Sequence, residues 1–243
     1  MTGSSTWASA GDLARRVEDQ GFSGMLYTET GQVPWMQIAA AAMAAPSLTF
    51  TTGIAVAFPR SPMVSAQVAW ELAGETNGKF RLGLGSQVKG HVVRRYSSDF
   101  DRPARRLLDY VMAVKACLRA FRGEERLSHE GEFYNLSLLP DSWKPRSHDF
   151  GDIKVDISSV GPLMNNVAGQ IADGVHVHPM HSMHYIENRL LPEVAQGAEA
   201  AQRKASDIDL IVPVFAVAGD TAEERAPWVH RAKTQIAFYG TTP

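Results

Sequence analysis

Two kinds of apolar segment take turns along this chain, and that rhythm leaves few folds open. One kind is short, rich in β-branched residues and bounded by Gly or Asp: GMLYTE at 24–29, LTFTTGIAVA at 48–57 and FRLGLGS at 80–86. The other is longer, with apolar residues at helical spacing, at 35–45, 62–75 and 103–121. A helix over 13–19, closed by Gly21, precedes them. After residue 152 the rhythm resumes. Strands are expected at 154–160, 174–178 and 209–218, the last starting after Pro213, and helices at 162–172, 184–204 and 221–238. Strands that alternate singly with helices imply a parallel sheet covered by helices. A (β/α)8 barrel of about 250 residues and an open doubly wound sheet both satisfy this.

From 123 to 152 the pattern breaks. Arg126–Leu138 reads as a small hairpin turning at Glu130-Gly131, followed by an irregular loop past Pro140, Pro145 and His148. Loops of that length in compact domains tend to carry function.

Charge is nearly balanced, 24 basic against 26 acidic residues and a net of −2, so no global field favours nucleic acid. No apolar run approaches the roughly 18 residues of a membrane span. Met1–Ser5 lacks the charged and apolar regions of a signal peptide. The single cysteine, Cys117, excludes an internal disulfide and shares apolar helical positions with Ala113 and Ala120. These readings place the chain in the cytoplasm, with a small-molecule substrate and neither nucleic acid nor membrane as partner.

In parallel α/β folds, polar and glycine residues at the C-terminal ends of strands line the site. Glu29 is so placed and is a candidate base or hydrogen-bond partner. The run Gly83-Leu84-Gly85-Ser86-Gln87-Val88 fails the dinucleotide fingerprint, because Val88 stands where the third glycine belongs. It reads either as a close-packed strand or as backbone that approaches a flat ligand. Gly53, inside a β-branched run, marks a bulge or a close approach. Ser159-Val160-Gly161-Pro162 is a strand-to-helix turn: a tight loop, or a helix N-terminus that holds phosphate. His176 and His178 share one strand face, with His181 and His184 close behind. A His-x-His pair suits a metal-dependent hydrolase, but nothing elsewhere stands out to complete the ligand set, so no metal is expected. His91 and His178 remain candidates for substrate or phosphate. No Gly-x-Ser-x-Gly elbow is present.

Taken in order, GFSGMLYTE (21–29), TTGIAVAFPRSP (51–62), GKFRLGLGSQVKGH (78–91) and SVGPLMNNVAGQIADGVHVHP (159–179) resemble the bacterial luciferase-like flavin and deazaflavin oxidoreductases. The chain is most similar to an actinobacterial branch that depends on coenzyme F420, over Leu13–Pro243. The resemblance implies a luciferase-like (β/α)8 TIM barrel in one domain, 1–243, with the family insertion at 123–152. It also implies a non-proline cis peptide at Gly53–Ile54 behind the deazaflavin ring. Gly85, Ser86 and Gln87 would lie beside the cofactor, and Val160, Gly161 and Pro162 at its phosphate. The implied reaction is hydride transfer between coenzyme F420 and an organic substrate, in a homodimer.

Two departures stand out. Relatives carry an acidic residue followed by His after the second strand, whereas this chain has Glu29-Thr30. That leaves Glu29 as the candidate for a proton-transfer or cofactor role. The barrel's first and last strands have no counterpart, so unpaired edges, exposed apolar surface and low stability without a partner subunit are expected. The alternatives are a reduced-FMN monooxygenase of the same superfamily, a degenerate flavin-binding member without activity, and a metal-dependent hydrolase at His176 and His178.

Overall fold

The computed structural model describes residues 5–241. The reading of Met1–Ser5 falls outside them but for Ser5. Sheet neighbours follow chain order. Strands β1 (Gly24–Tyr27), β2 (Thr49–Thr52), β4 (Phe80–Gly85), β7 (Val155–Ser159), β8 (Gly174–Val177) and β9 (Asp209–Ile211) pair successively, all parallel. The short β3 (Ala55–Val56) also pairs with β4, making a seven-stranded sheet. A doubly wound sheet reverses its order at a switch point. This one never reverses, so it is the arc of a (β/α) barrel, with β1 and β9 at its edges.

Helices α1 (Trp7–Asp19), α2 (Pro34–Ala44), α3 (Pro62–Glu75), α5 (Pro103–Arg122), α6 (Pro162–Ile171) and α8 (Leu191–Ala200) pack each against the next as the outer layer. Local signals set their ends. Thr6 and Ser61 cap α1 and α3 through side-chain oxygens, and proline occupies the first turn of α2, α3, α5 and α6. Gly123, at φ 77°, closes α5.

The period of two sorts the strands into faces. Met25, Tyr27, Phe50, Phe80, Leu82, Leu84, Val155, Ile157, Val175 and Val177 join the core. The alternate positions, Thr51, Arg81, Gly83, Gly85, Asp156, Ser158, Gly174 and His176, line the inside of the arc and are small or polar. There, Arg81 donates through Nε and Nη2 to the fully buried Asp156 carboxylate (2.8 and 2.7 Å) and through Nη1 to Asp209 (2.8 Å). Lys154 also reaches Asp209. One guanidinium thus ties β4, β7 and β9. Gly174 makes room for it, since a Cβ there would lie 2.5 Å from Asp156 Oδ1.

Several expectations need correction. The strand expected over 209–218, beginning after Pro213, is β9, and it ends at Ile211 before that proline. Residues 212–219 form no strand, and β8, the described neighbour of β9, itself ends at Val177. The strand expected over 48–57 is divided into β2 and β3 at Gly53–Ile54. The first helix begins at Trp7 rather than Leu13. The helix expected over 184–204 is α7 (Met183–Tyr185), a π turn (Ile186–Leu190) and α8, and it ends at Ala200. Helix α4 (Lys89–Arg94) was not foreseen. The hairpin is present as β5 (His129–Glu130) and β6 (Asn135–Leu136), and its turn lies at 131–134, just beyond the expected place. Helix α9 (Ala222–Gly240) carries a capping box from Thr221 and Glu224 and buries none of its residues. Trp228, Val229 and Ile236 on it are exposed, as are Val214 and Phe215 before it, in line with the expectation of exposed apolar surface.

Removing one member of a buried ion pair leaves the other unpaired, at a cost of roughly 3–5 kcal/mol. Arg81 keeps some solvent contact and Asp209. Asp156→Ala is therefore expected to destabilise the protein by about 3 kcal/mol, read from the shift of the urea midpoint.

Candidate functional site

The C-terminal ends of the strands form the mouth of the arc, and its shape begins at a break in the sheet. The peptide between Gly53 and Ile54 is cis, as the resemblance implied. Either side of it the ladder is remade by substitutes. Toward β4, the Thr52 hydroxyl donates to the Gly83 carbonyl (2.6 Å) and accepts from the Gly83 N–H (2.9 Å). Toward β1, Gly53 N–H donates to the Tyr27 carbonyl, and Glu29 N–H donates to the Ile54 carbonyl. Beyond the break, the Glu29 carboxylate accepts the Val56 N–H (2.8 Å). A buried backbone donor without a partner is costly, so these contacts are what let the chain bend here.

Glycines give the bend its space. A Cβ on Gly53 would lie 2.4 Å from the Leu26 side chain, and one on Gly83 would lie 1.8 Å from the Thr52 carbonyl. A Cβ on Gly85 would lie 2.5 Å from Ser158 Oγ and 2.8 Å from Ile54 Cδ1. Gly83 and Gly85 are thus both sites of close packing of protein on protein.

Glu29 is buried, and both its oxygens are engaged. Arg60 donates to them through Nη2 (2.6 Å to Oε1) and Nη1 (2.8 Å to Oε2), and Tyr96 Oη donates to Oε1 at 3.3 Å. Arg60 Nη1 also donates to the Val56 carbonyl (2.7 Å), and its guanidinium lies 5.8 Å from the Trp35 ring. Bidentate Arg–carboxylate pairs are the strong, directional kind. Burial and the nearby Glu29 charge raise the Tyr96 hydroxyl above its usual range. Thr30 accepts from Arg95 Nη2 through its carbonyl. Arg60, Tyr96 and Thr52 escaped the sequence reading. Arg60 lay inside the quoted motif TTGIAVAFPRSP, but its partner is 31 residues away.

Gln87 adopts the left-handed region (φ 58°), its Oε1 accepts the Val88 N–H, and its carbonyl accepts from Ser86 Oγ. Gly161 (φ 82°) precedes Pro162 and α6, which has no side-chain cap. The N–H groups of Leu163 and Met164 therefore face outward from the first turn. Val160 and Leu163 are exposed beside them, while Ser159 Oγ just before is buried without a hydrogen-bond partner.

The histidines divide. His91 is exposed on α4. His178 accepts from Met180 N–H through Nδ1, its ring lies 4.8 Å from Tyr239, and burial lowers its pKa. His176 is buried inside the arc, with Nε2 unpartnered and 3.9 Å from Asp156 Oδ2. Burial lowers its pKa, and the Asp156 charge only partly opposes that. Among the described residues, no three His, Cys, Asp or Glu side chains gather to hold a metal ion. Cys117 is buried in α5, and burial pushes its thiol up to about 12.

A parallel barrel arc with a bulge between β2 and β3 and an uncapped helix N-terminus at its mouth is the frame of the site. Residues 1–242 match the luciferase-like monooxygenase family, and the chain belongs to it. An uncharacterized protein of Mycobacterium tuberculosis is 34% identical over 236 residues, 97% of this chain and 69% of that protein. The coenzyme F420-dependent tetrahydromethanopterin reductase of Methanopyrus kandleri superposes with a TM-score of 0.70 at 20% identity, over 85% of this chain and 61% of that one. The oxygenating constituent of a diketocamphane monooxygenase from Pseudomonas putida, solved with FMN, gives 0.66 at 16% identity, over 94% and 68%. These structures share the fold. The chain thus spans less than two thirds of the reductase's length.

The buried histidine gives a pH signature. A His whose folded pKa lies below its ordinary 6.5 stabilises the fold above that value and loses the contribution as pH falls through it. The melting temperature is expected to drop between about pH 7 and 5, and His176→Gln is expected to flatten part of that drop.

Proposed function

We propose that this protein is an oxidoreductase that transfers hydride between coenzyme F420 and a small organic substrate at the C-terminal mouth of the barrel arc. The observation that carries the reading is the bulge between β2 and β3, strapped to β1 and β4, with the uncapped turn at Gly161-Pro162 following β7 on the other side of β4. The residues present fit the cofactor. The bulge offers a flat backbone wall, and the open N–H groups after Pro162 suit a phosphate. Ile54 would back the ring, with Gly53, Gly85, Ser86 and Gln87 at its edge, and Val160, Gly161 and Pro162 would hold the phosphate. When bound, the deazaflavin supplies or accepts the hydride.

The protein's own part is to orient and to exclude water. Glu29, held by Arg60 and the Val56 N–H, fixes the wall of the slot. Tyr96, whose hydroxyl meets Glu29, is the proton-bearing group on this rim. The cytoplasm as location and a homodimer as assembly belong to the same reading. Among the described residues, no helix is long and apolar enough to cross a membrane.

The second reading is a reduced-FMN monooxygenase, favoured by the Pseudomonas putida structure that holds FMN in the same fold. Parallel titration with coenzyme F420 and FMN separates them, followed by fluorescence and melting temperature. The expected result is F420 binding in the micromolar range with an affinity at least tenfold above that for FMN. The reverse order would transfer the assignment to the monooxygenase. Binding of neither to the folded protein would remove both.

A further inference from the structure

One cation at the mouth has no part in the cofactor slot. Arg106 sits in the first turn of α5, and that turn lies at the C-terminal end of the sheet, because the chain reaches it from the end of β4 through α4. Its guanidinium carbon lies 5.4 Å from the Phe58 ring, 5.5 Å from Phe133 and 5.7 Å from Tyr134. Nε donates to Tyr134 Oη at 3.1 Å. Three rings and one hydrogen bond fix the fork, yet Nη1 and Nη2 donate to no described residue and no described carboxylate pairs with it.

Two neighbouring charged groups are already committed. Asp109, three residues on, has Oδ1 2.7 Å from His129 Nε2, and its Oδ2 accepts from the Phe133 and Tyr134 N–H groups. Arg102 is paired with Asp101 and Glu132. The site is also joined to the mouth. Phe58 is two residues from Arg60 on the loop leaving β3, and Tyr134 stacks edge-on against Tyr110, whose hydroxyl meets Ser65 Oγ and the Ser61 carbonyl.

We infer that Arg106 is an anchor for a carboxylate group on the substrate. A planar fork with two free N–H ends matches a carboxylate bidentately. Aromatic faces hold the cation without neutralising it. One cation, with Asp99 and Asp109 both close enough to act on Tyr134, suits a monoanion better than a dianionic phosphate. The inference names the substrate class of the mouth proposed above and rests on that reading. The reacting carbon would face the slot, and the carboxylate would point to the hairpin side of the rim.

The test is calorimetric titration of the full chain with benzoate, its neutral counterpart benzamide, and inorganic phosphate. Wild type, Arg106→Gln and Arg106→Lys are compared, and each is also titrated with coenzyme F420. Saturable benzoate binding is expected, at least tenfold tighter than benzamide or phosphate. It should weaken at least tenfold in Arg106→Gln and recover in part in Arg106→Lys, whose stem and charge keep the rings packed. F420 affinity should stay within about twofold in both variants. Benzoate binding unchanged in a folded Arg106→Gln, or phosphate binding tighter than benzoate, would overturn the assignment. Benzoate discrimination in a wild type that binds no F420 would support the anchor and remove the cofactor reading instead.

Discussion

The site depends on how the sheet survives losing its ladder at residues 53 and 54. A strand buried between two neighbours cannot leave N–H and C=O groups unpaired. Here side chains take over the pairing. Thr52 Oγ1 serves both backbone groups of Gly83, and the Glu29 carboxylate serves Val56 N–H on the far side of the break. Arg60 then closes the arrangement by gripping Glu29 with two nitrogens and the Val56 carbonyl with one of them. Glu29 is thereby a tether between the end of β1 and β3, a role its position at a strand end did not by itself announce.

The inside of the arc follows the same logic. A parallel sheet covered on its outer face by helices needs small residues inside wherever large polar groups cross. Gly83 yields to Thr52 and His176, and Gly174 yields to Arg81 and Asp156. The Arg81–Asp156 pair is dry on one side and tied to Asp209 at the edge strand on the other. Membership of the luciferase-like monooxygenase family accords with this frame.

The strand–helix alternation was legible because it rests on local periodicity, and Gly53 flagged the bulge because only a residue without Cβ fits against Leu26. The pairings were not legible. Glu29 meets Arg60 across 31 residues and Tyr96 across 67, and sequence spacing carries no trace of such contacts. The misplaced final strand shows the limit of β-propensity. Val212–Ala218 is rich in β-branched residues, yet the paired part of that segment stops at Ile211. Propensity without a neighbouring strand does not make one. Short α4 was invisible for a related reason: six residues carry too little periodicity to register.

The measurement that bears most directly on this account is a double-mutant cycle of Glu29→Gln and Arg60→Met, read as unfolding free energy. If the pair is the clasp of the bent strand, the two changes will be coupled by about 1–3 kcal/mol, as contacting residues of one buried network are. If they add to within about 0.3 kcal/mol, the clasp is not what holds the break, and the role given to Glu29 fails with it.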